Sequence, residues 1–325
     1  MATQTNLRCQ ALDTRTDSFK SRFLKTVKTP GFRLFLLIIP FLLFVFIFSY
    51  YPLYGWRYAF YNYKPGRPLD ECEFVGLKYF ISLFRDAYTA KETLRVLKNT
   101  LAMSFLGYLF SPLPMLFAIF LSEIQCAPFK KVVQTLTTLP NFISWVLVYA
   151  VAFAMFSVGD GFVNRILIQM GILDNGINFL ASPNHIWIKM YAWHMWKSLG
   201  WSSIIYIASI SGIDQELYEA ATVDGANRFG CIRHITIPSL IPTYFVLLIL
   251  SIANFINTGM EQYYLFQNPM NKSSIEVLDL YVYNRMMDQN YSFGIAVGIL
   301  KSLVSIVMLF AANRLSKSIR GESVF

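Results

Sequence analysis

Six stretches of this chain are apolar for long enough, or nearly so, to cross a bilayer as helix, and nothing else restricts the fold as much. A spanning helix needs about 20 such residues. The first reads LFLLIIPFLLFVFIFSYYPLY, Leu34 to Tyr54. The others run over Thr100–Leu121, Val132–Phe156, Ile186–Ile210, Leu240–Thr258 and Phe293–Ala312. Pro40, Pro112, Pro114 and Pro140 fall inside these stretches. A bundle tolerates them, because neighbouring helices satisfy the carbonyls a proline frees. Charged residues make up 14% of the chain and hydrophobic ones 55%, too few charges to coat a soluble domain. The expected fold class is an all-α integral membrane protein of six transmembrane helices.

Charge placement orients the bundle. The polar leader holds Arg8, Arg15, Lys20, Arg22, Lys25, Lys28 and Arg33, and basic loops stay in the cytosol. Six spans then bring the tail, with Arg314, Lys317 and Arg320, back to the cytosol. The chain divides into a cytosolic leader (1–33), the first span (34–54), an outer loop (55–99), a five-span core (100–314) and a cytosolic tail (315–325). The first span reads as a retained anchor, since no small-x-small cleavage pattern follows it. The outer loop argues against the orientation: it carries eight basic residues, Arg57 through Lys98. The leader outweighs it. A short helix is expected over Asp160–Ile172, where apolar residues recur at helical spacing. The net charge of +9 accompanies no basic, base-reading helix, so nucleic acid is not an expected partner. Cys9, Cys72, Cys126 and Cys231 form no CxxC pair, and no metal site is expected.

Between the fourth and fifth spans, over 211–238, the polarity rises in EAATVDGANRFGCIRHITIP, Glu219 to Pro238. Ile213, Leu217, Ala220 and Ala221 follow the i, i+4, i+7, i+8 pattern of one helical face. Asp214 is placed to cap that helix, and Asp224-Gly225 to end it. A second short helix is expected to follow, with Phe229 and Ile232 on one side and Arg228 and Arg233 free. Pro238 and Pro242 then suit the first turn of the next span. The pattern makes a compact knob whose small residues allow another surface to approach closely. Periodicity alone favours an ordinary amphipathic loop lying on the bilayer.

The spacing in this loop resembles the EAA motif of binding-protein-dependent ABC importer permeases: EAA, three residues, Gly, nine residues, I-x-L-P. Here Glu219, Ala220, Ala221, Gly225, Ile235 and Pro238 match, and Ile237 stands where leucine is usual. Asp224 and Ala226 agree with the sugar-permease form, EAAxxDGA. FKKVVQTLTTLPNFISWVLV, WKSLGWSSIIYIASISGID and MEQYYLFQNP resemble the subgroup serving oligosaccharides and polysaccharide fragments. The likeness covers nearly everything after the leader. It implies the type I importer fold and one half of a heterodimeric channel, with a second homologous permease as the other half. It implies two copies of a cytosolic ATPase that grip the EAA loops, one on each permease, with Phe229 among the coupling residues here. It also implies an extracellular solute-binding protein that delivers the sugar. ATP and magnesium belong to the ATPase; the chain itself has no GxxxxGK[ST], and GIAVGILKS puts Lys301 out of register. No cofactor, metal or catalytic residue is expected here.

A sugar path needs hydroxyl-bonding groups and aromatic faces, and polar side chains within spans usually face the bundle interior. Asn254, Asn257 or Thr258, and Glu261 recur at helical spacing at the outer end of the fifth span, followed by Gln262. Asn141, Trp145 and Tyr149 are candidates in the third span, and Trp193 and Trp196 in the fourth. The tryptophans suit interface packing as well. Lys197 fits a structural ion pair or a sugar contact, and His194 a structural hydrogen bond or the cavity. The competing function is an ion-coupled secondary transporter or channel, which calls for intramembrane acids; these spans hold almost none.

Overall fold

The computed structural model describes residues 30–320. The leader's basic residues through Lys28, Cys9 and residues 321–325 lie outside the described residues. Two units are distinguished, Met1–Tyr58 and Ala59–Phe325. In the first, helix α1 (Pro30–Val45) passes through a π turn at Phe46–Tyr50 into a 3-10 helix, Tyr51–Phe60. The helical run Pro30–Phe60 is long and apolar enough to span a membrane and contains the expected first span. Pro40 sits inside α1 without ending it. Near its end the Arg57 guanidinium lies 3.9 Å over the Tyr54 ring, an aromatic–basic pair of the kind found at membrane interfaces.

In the second unit the regular elements among the described residues are helices, with one isolated antiparallel bridge, Tyr61 to Phe74. The expected outer loop is largely helix: α2 (Lys78–Arg85) leads directly into α3 (Ala87–Leu109). Asp86 caps α3 by accepting from the Thr89 amide at 3.3 Å and from its hydroxyl. Those bonds hold its carboxyl below the usual carboxylate range. Helix α4 (Leu113–Ser122) continues α3 after a turn at Phe110–Pro112, and Ala87–Ser122 together is apolar enough to span. Proline supplies no N–H at this turn. The Ser111 hydroxyl donates to the Tyr108 carbonyl there at 2.8 Å.

The third span is not continuous. Helix α5 (Ala127–Thr138) and a 3-10 turn at Leu139–Phe142 meet α6 (Trp145–Phe156) at 109°. Pro140 is the local cause, since its ring and missing N–H oppose further helix. Ile143 is extended (φ −83°, ψ 136°), and Ser144 restarts the helix as its N-cap. The short helix α7 (Phe162–Gln169) is held by buried Asn164. Its amide donates to the carbonyls of Ser157 (2.8 Å) and Ile177 (2.9 Å) and accepts from the Ile177 N–H (3.0 Å).

Helix α8 (Ile186–Ser211) coincides with the expected fourth span, though it is not among the helical runs apolar enough to qualify as a span. It crosses α5 at Gly200, where a Cβ would collide with the Thr137 and Thr138 backbone. Helices α9 (Gln215–Val223) and α10 (Arg228–Cys231) form the loop, and a π turn at Ile232–Thr236 joins α10 to α11 (Ile237–Ala253). The fifth span therefore begins within the loop, as one apolar run Arg228–Ala253, and ends before Asn254. Three short helices follow: α12 (Glu261–Phe266), α13 (Lys272–Ile275) and α14 (Leu278–Met287). Helix α15 (Tyr291–Arg320) contains the sixth expected span and runs into the expected tail.

Among the described residues four helical runs thus have the length and composition of a span, and the bent α5–α6 pair is either a fifth, broken span or a re-entrant loop. Met103, Ala152, Met190, Phe266 and Leu280 form the largest buried cluster, and Met115, Ile119, Tyr206 and Leu240 a second. An ion network ties the short helices to α3. Glu276, 3% exposed, accepts from Arg95 at 2.7 Å and from Asn284 at 2.7 Å. Arg95 also pairs with Glu92 at 2.8 Å and donates to the Ser273 carbonyl at 2.7 Å.

Candidate functional site: a projecting loop and a hydroxyl-lined cavity

Helix α9 buries none of its residues. Asp214 caps it, accepting from the Glu216 amide at 3.0 Å. Gly225 ends it at φ +83°, with nothing within 4 Å of an added Cβ. Its N–H reaches the Thr222 carbonyl at 3.1 Å, and the Ala226 N–H reaches the Ala221 carbonyl at 2.8 Å. These two bonds are the paired closures of a Schellman cap, which wants glycine at the left-handed position. Asp224 is the residue between helix and glycine. Asn227 then caps α10, accepting from the Gly230 amide at 2.8 Å.

Glu219, Ala220, Asp224 and Phe229 are exposed, while Ala221, Ala226 and Ile235 are half-buried. Val223 (88%) and Phe229 (70%) present bare apolar side chains to the outside. Two expectations change. Leu217 is exposed, and the side chain that turns back from α9 is Tyr218, whose hydroxyl meets that of buried Thr236 at 2.9 Å. Phe229 and Ile232 do not share an environment: Ile232 packs beside Leu240 and Tyr206, and Phe229 stands free of that cluster. Pro238 lies in the first turn of α11.

The cavity lies between α3, α4, α8 and α11. Two adjoining volumes of ≈300 Å³ and ≈490 Å³ share Gly107, Ser111, Tyr191, His194 and Ser251 as walls. Ser104, Tyr108, Asn254, Asn257 and Thr258 line the first; Ser198, Ser202, Trp201 and Tyr244 line the second. The Tyr108 hydroxyl donates to the Ser251 carbonyl at 3.0 Å, and those of Ser111 and Tyr244 meet at 2.9 Å. The Tyr108 ring stacks on Phe255 and that of Tyr191 on Phe110. Neither volume is lined by an acidic side chain. The Thr258 hydroxyl, buried at the wall, makes no hydrogen bond among the described residues. The arrangement offers hydroxyls, amides and ring faces to a polar solute, with no acidic side chain to repel an anionic one.

Of the expected pathway residues, Asn254 and Asn257 reach this cavity, but not through a helical face. The chain leaves helical geometry at Asn254, turns at Gly259 (φ +74°) and restarts at Glu261. Glu261 is exposed and does not line the cavity. Gln262 is 5% exposed, and its amide donates to the Met190 carbonyl at 2.6 Å, a structural bond. Trp193 and Trp196 line a separate, apolar crevice of ≈420 Å³ with Met155 and Phe156. Tyr149 packs edge-on against Phe266 at 5.1 Å. Asn141 and Trp145 sit at the break between α5 and α6, and Trp145 stacks on His194. His194 itself opens to both volumes. The serines and tyrosines of the wall were missed. Ser104, Tyr108 and Ser111 recur at i, i+4 and i+7, a legible helical spacing, with the first two on α3 and Ser111 in the turn that follows it.

A family described as the inner membrane component of binding-protein-dependent transport systems matches residues 111–321. The chain belongs to this family. It is a multi-pass, inner-membrane permease component of an ABC importer that works with a binding protein, and ATP hydrolysis resides in a separate subunit. Protein LplB of Bacillus subtilis (strain 168) is 38% identical over 294 residues, 90% of this chain and 91% of the relative. The polygalacturonan/rhamnogalacturonan transport system permease protein YteP of the same organism is 38% identical over 296 residues, 90% of each chain. Among solved structures, a chain of a bacterial ABC transporter involved in import of the acidic polysaccharide alginate matches with TM-score 0.81. It is 32% identical, with 92% of this permease and 99% of that chain covered. A second structure holds the alginate transporter with its pentasaccharide-bound periplasmic protein, at TM-score 0.80 and 33% identity, covering 93% of this chain and 100% of that one.

Proposed function

We propose that this permease forms half of the channel of an importer for oligosaccharides or polysaccharide fragments. The observation that carries the reading is the cavity between α3, α4, α8 and α11, walled by hydroxyls, amides and aromatic faces. The alginate importer and the polygalacturonan/rhamnogalacturonan permease among its relatives support a glycan as the solute. In this reading α8 is the sixth span beside the five apolar ones, and both termini are cytosolic. A second homologous permease completes the channel, lipid surrounds it, and the extracellular binding protein delivers the glycan. Two copies of a cytosolic ATPase bind ATP and magnesium, and one of them grips the loop around α9. Glu219, Val223 and Phe229 are the exposed side chains offered to it. Closure of the ATPase pair then rocks the bundle between inward- and outward-facing states.

The test is ATP-driven uptake of alginate and polygalacturonan oligosaccharides by the reconstituted complex. Asn257→Ala, at the cavity wall, is expected to reduce uptake while the complex still assembles. Glu261→Ala, off the wall, is expected to leave uptake unchanged. Equal uptake by Asn257→Ala and the parent protein would remove this cavity from the path.

A further inference from the structure

The break in the third span brings three backbone carbonyls together around one side chain. The Lys197 ammonium, from the middle of α8, lies 2.7 Å from the Asn141 carbonyl, 2.7 Å from that of Ile143 and 3.2 Å from that of Pro140. An ammonium has three N–H donors and no acceptor, so it can serve three carbonyls at once. The Trp145 ring centroid lies 5.6 Å from Nζ and adds a cation–π contact. Among the described residues no carboxylate lies within ion-pair distance; Glu261 acts on the ammonium only through its field.

We propose that the break between α5 and α6 is a carbonyl cage for a monovalent cation, filled by the chain's own Lys197 ammonium. Unwound carbonyls in membrane helices are the usual ligands of bound cations, and here the cation arrives on a tether. Arginine would not substitute, because its guanidinium is a planar fork rather than a compact point charge.

The cage has a consequence for the cavity. Residues one turn either side of Lys197 on α8 secure the same element. Gly200 lies against the Thr137 and Thr138 backbone with no room for a Cβ. His194 stacks on Trp145 at 6.4 Å and 16°, and His194 is also a cavity wall. Lys197 is therefore a positioning residue: it fixes the bend, the bend places Trp145, and Trp145 orients His194.

Lys197→Ala removes a fragment that n-propylammonium replaces. The complete complex in nanodiscs is melted without substrate, and glycan uptake is measured in parallel. The variant is expected to melt at lower temperature and to lose roughly tenfold or more of its uptake, the size expected when buried carbonyls lose their donors. Adding n-propylammonium restores both; tetramethylammonium, which has no N–H, restores neither. Lys197→Gln, which keeps an amide donor and serves if Lys197→Ala does not assemble, falls between the two, and Lys197→Arg stays impaired. Unchanged melting in Lys197→Ala, no restoration by n-propylammonium, or equal restoration by tetramethylammonium would overturn the cage. The melting arm uses no glycan. It decides the cage even where the uptake arm rests on the proposed transport function and that function fails.

Discussion

Replacing Gly225 by alanine isolates one backbone angle at the tip of the loop. The residue sits at φ +83° and an added Cβ meets nothing within 4 Å, so the cost inside this chain is torsional. An L-residue held in the left-handed region costs about 1–2 kcal/mol, which changes a local equilibrium by roughly 5- to 30-fold. That angle is what lets the Gly225 and Ala226 amides reach Thr222 and Ala221 at 3.1 and 2.8 Å. Hydrogen exchange at those two amides reads the opening of the cap directly. In the purified complex, Gly225→Ala is expected to lower protection at both positions by roughly 5- to 30-fold. Gly225→Asn should keep most of it, because asparagine enters the left-handed region more readily than alanine. The number of solutes moved per ATP should follow the same order. Undiminished protection in Gly225→Ala would refute the torsional argument. Equal loss for alanine and asparagine would refute it too, by showing that any side chain at the tip is excluded.

Two further substitutions test the ties around these sites. Tyr218→Phe keeps the ring and removes the hydroxyl that meets buried Thr236; the expected cost is about 1–3 kcal/mol for the stranded partner. It should appear as a lower melting temperature and fewer solutes moved per ATP, and a wild-type ratio would show that the bond transmits nothing. Arg95→Met strands Glu276, which is 3% exposed. Breaking a buried pair costs about 3–5 kcal/mol, with the low end expected because Arg95 is 24% exposed. Thermal unfolding should drop accordingly and recover in part when Glu276→Gln is added; an Arg95→Met complex that melts normally would show the network to be ornamental to stability.

What the sequence disclosed depended on how local the cause was. The loop was legible because its cap, its glycine and its second cap all fall within Asp214–Asn227, and each bond closes over two to five positions. Helix α8 was legible because nothing interrupts it. The third span was not. Whether Pro140 breaks a helix or is absorbed depends on what meets the exposed carbonyls, and here that is Lys197, more than fifty residues away. The fifth span shows correct residues reached by a wrong route. Asn254 and Asn257 line the cavity because the helix stops at Ala253 and the chain folds across it, not because they share a helical face. Asn254 just past the apolar run, with Gly259 following, was a stop signal outweighed by hydropathy. The wall of Ser104, Tyr108 and Ser111 escaped for a different reason. Hydroxyls carry no charge penalty in a span, and only their i, i+4, i+7 spacing marks them.

Placing loop and cavity on one element explains how an event at the first can reach the second. The run Arg228–Ala253 is helical throughout, 26 residues or roughly 39 Å at 1.5 Å per residue. Phe229 stands exposed at one end, and Tyr244 and Ser251 line the cavity further along. No loop interrupts the path, so in the proposed coupling a displacement at Phe229 would pass along the run as rigid-body motion. The irregular point is the π turn at Ile232–Thr236, a feature that recurs at functional positions in helices. The Tyr218–Thr236 bond spans from α9 to that turn and ties the loop's first helix to the base of the second. Meanwhile α8, on the opposite wall, is fixed to the α5–α6 break at His194, Lys197 and Gly200. Both walls adjoin the loop, α8 through Gly212–Asp214 and α11 through the π turn, and α8 alone is also held at the α5–α6 break. In the proposed coupling, that extra tie would let α11 move relative to α8 when the loop is displaced, changing the space where Tyr191 and His194 on one wall face Ser251 and Tyr244 on the other.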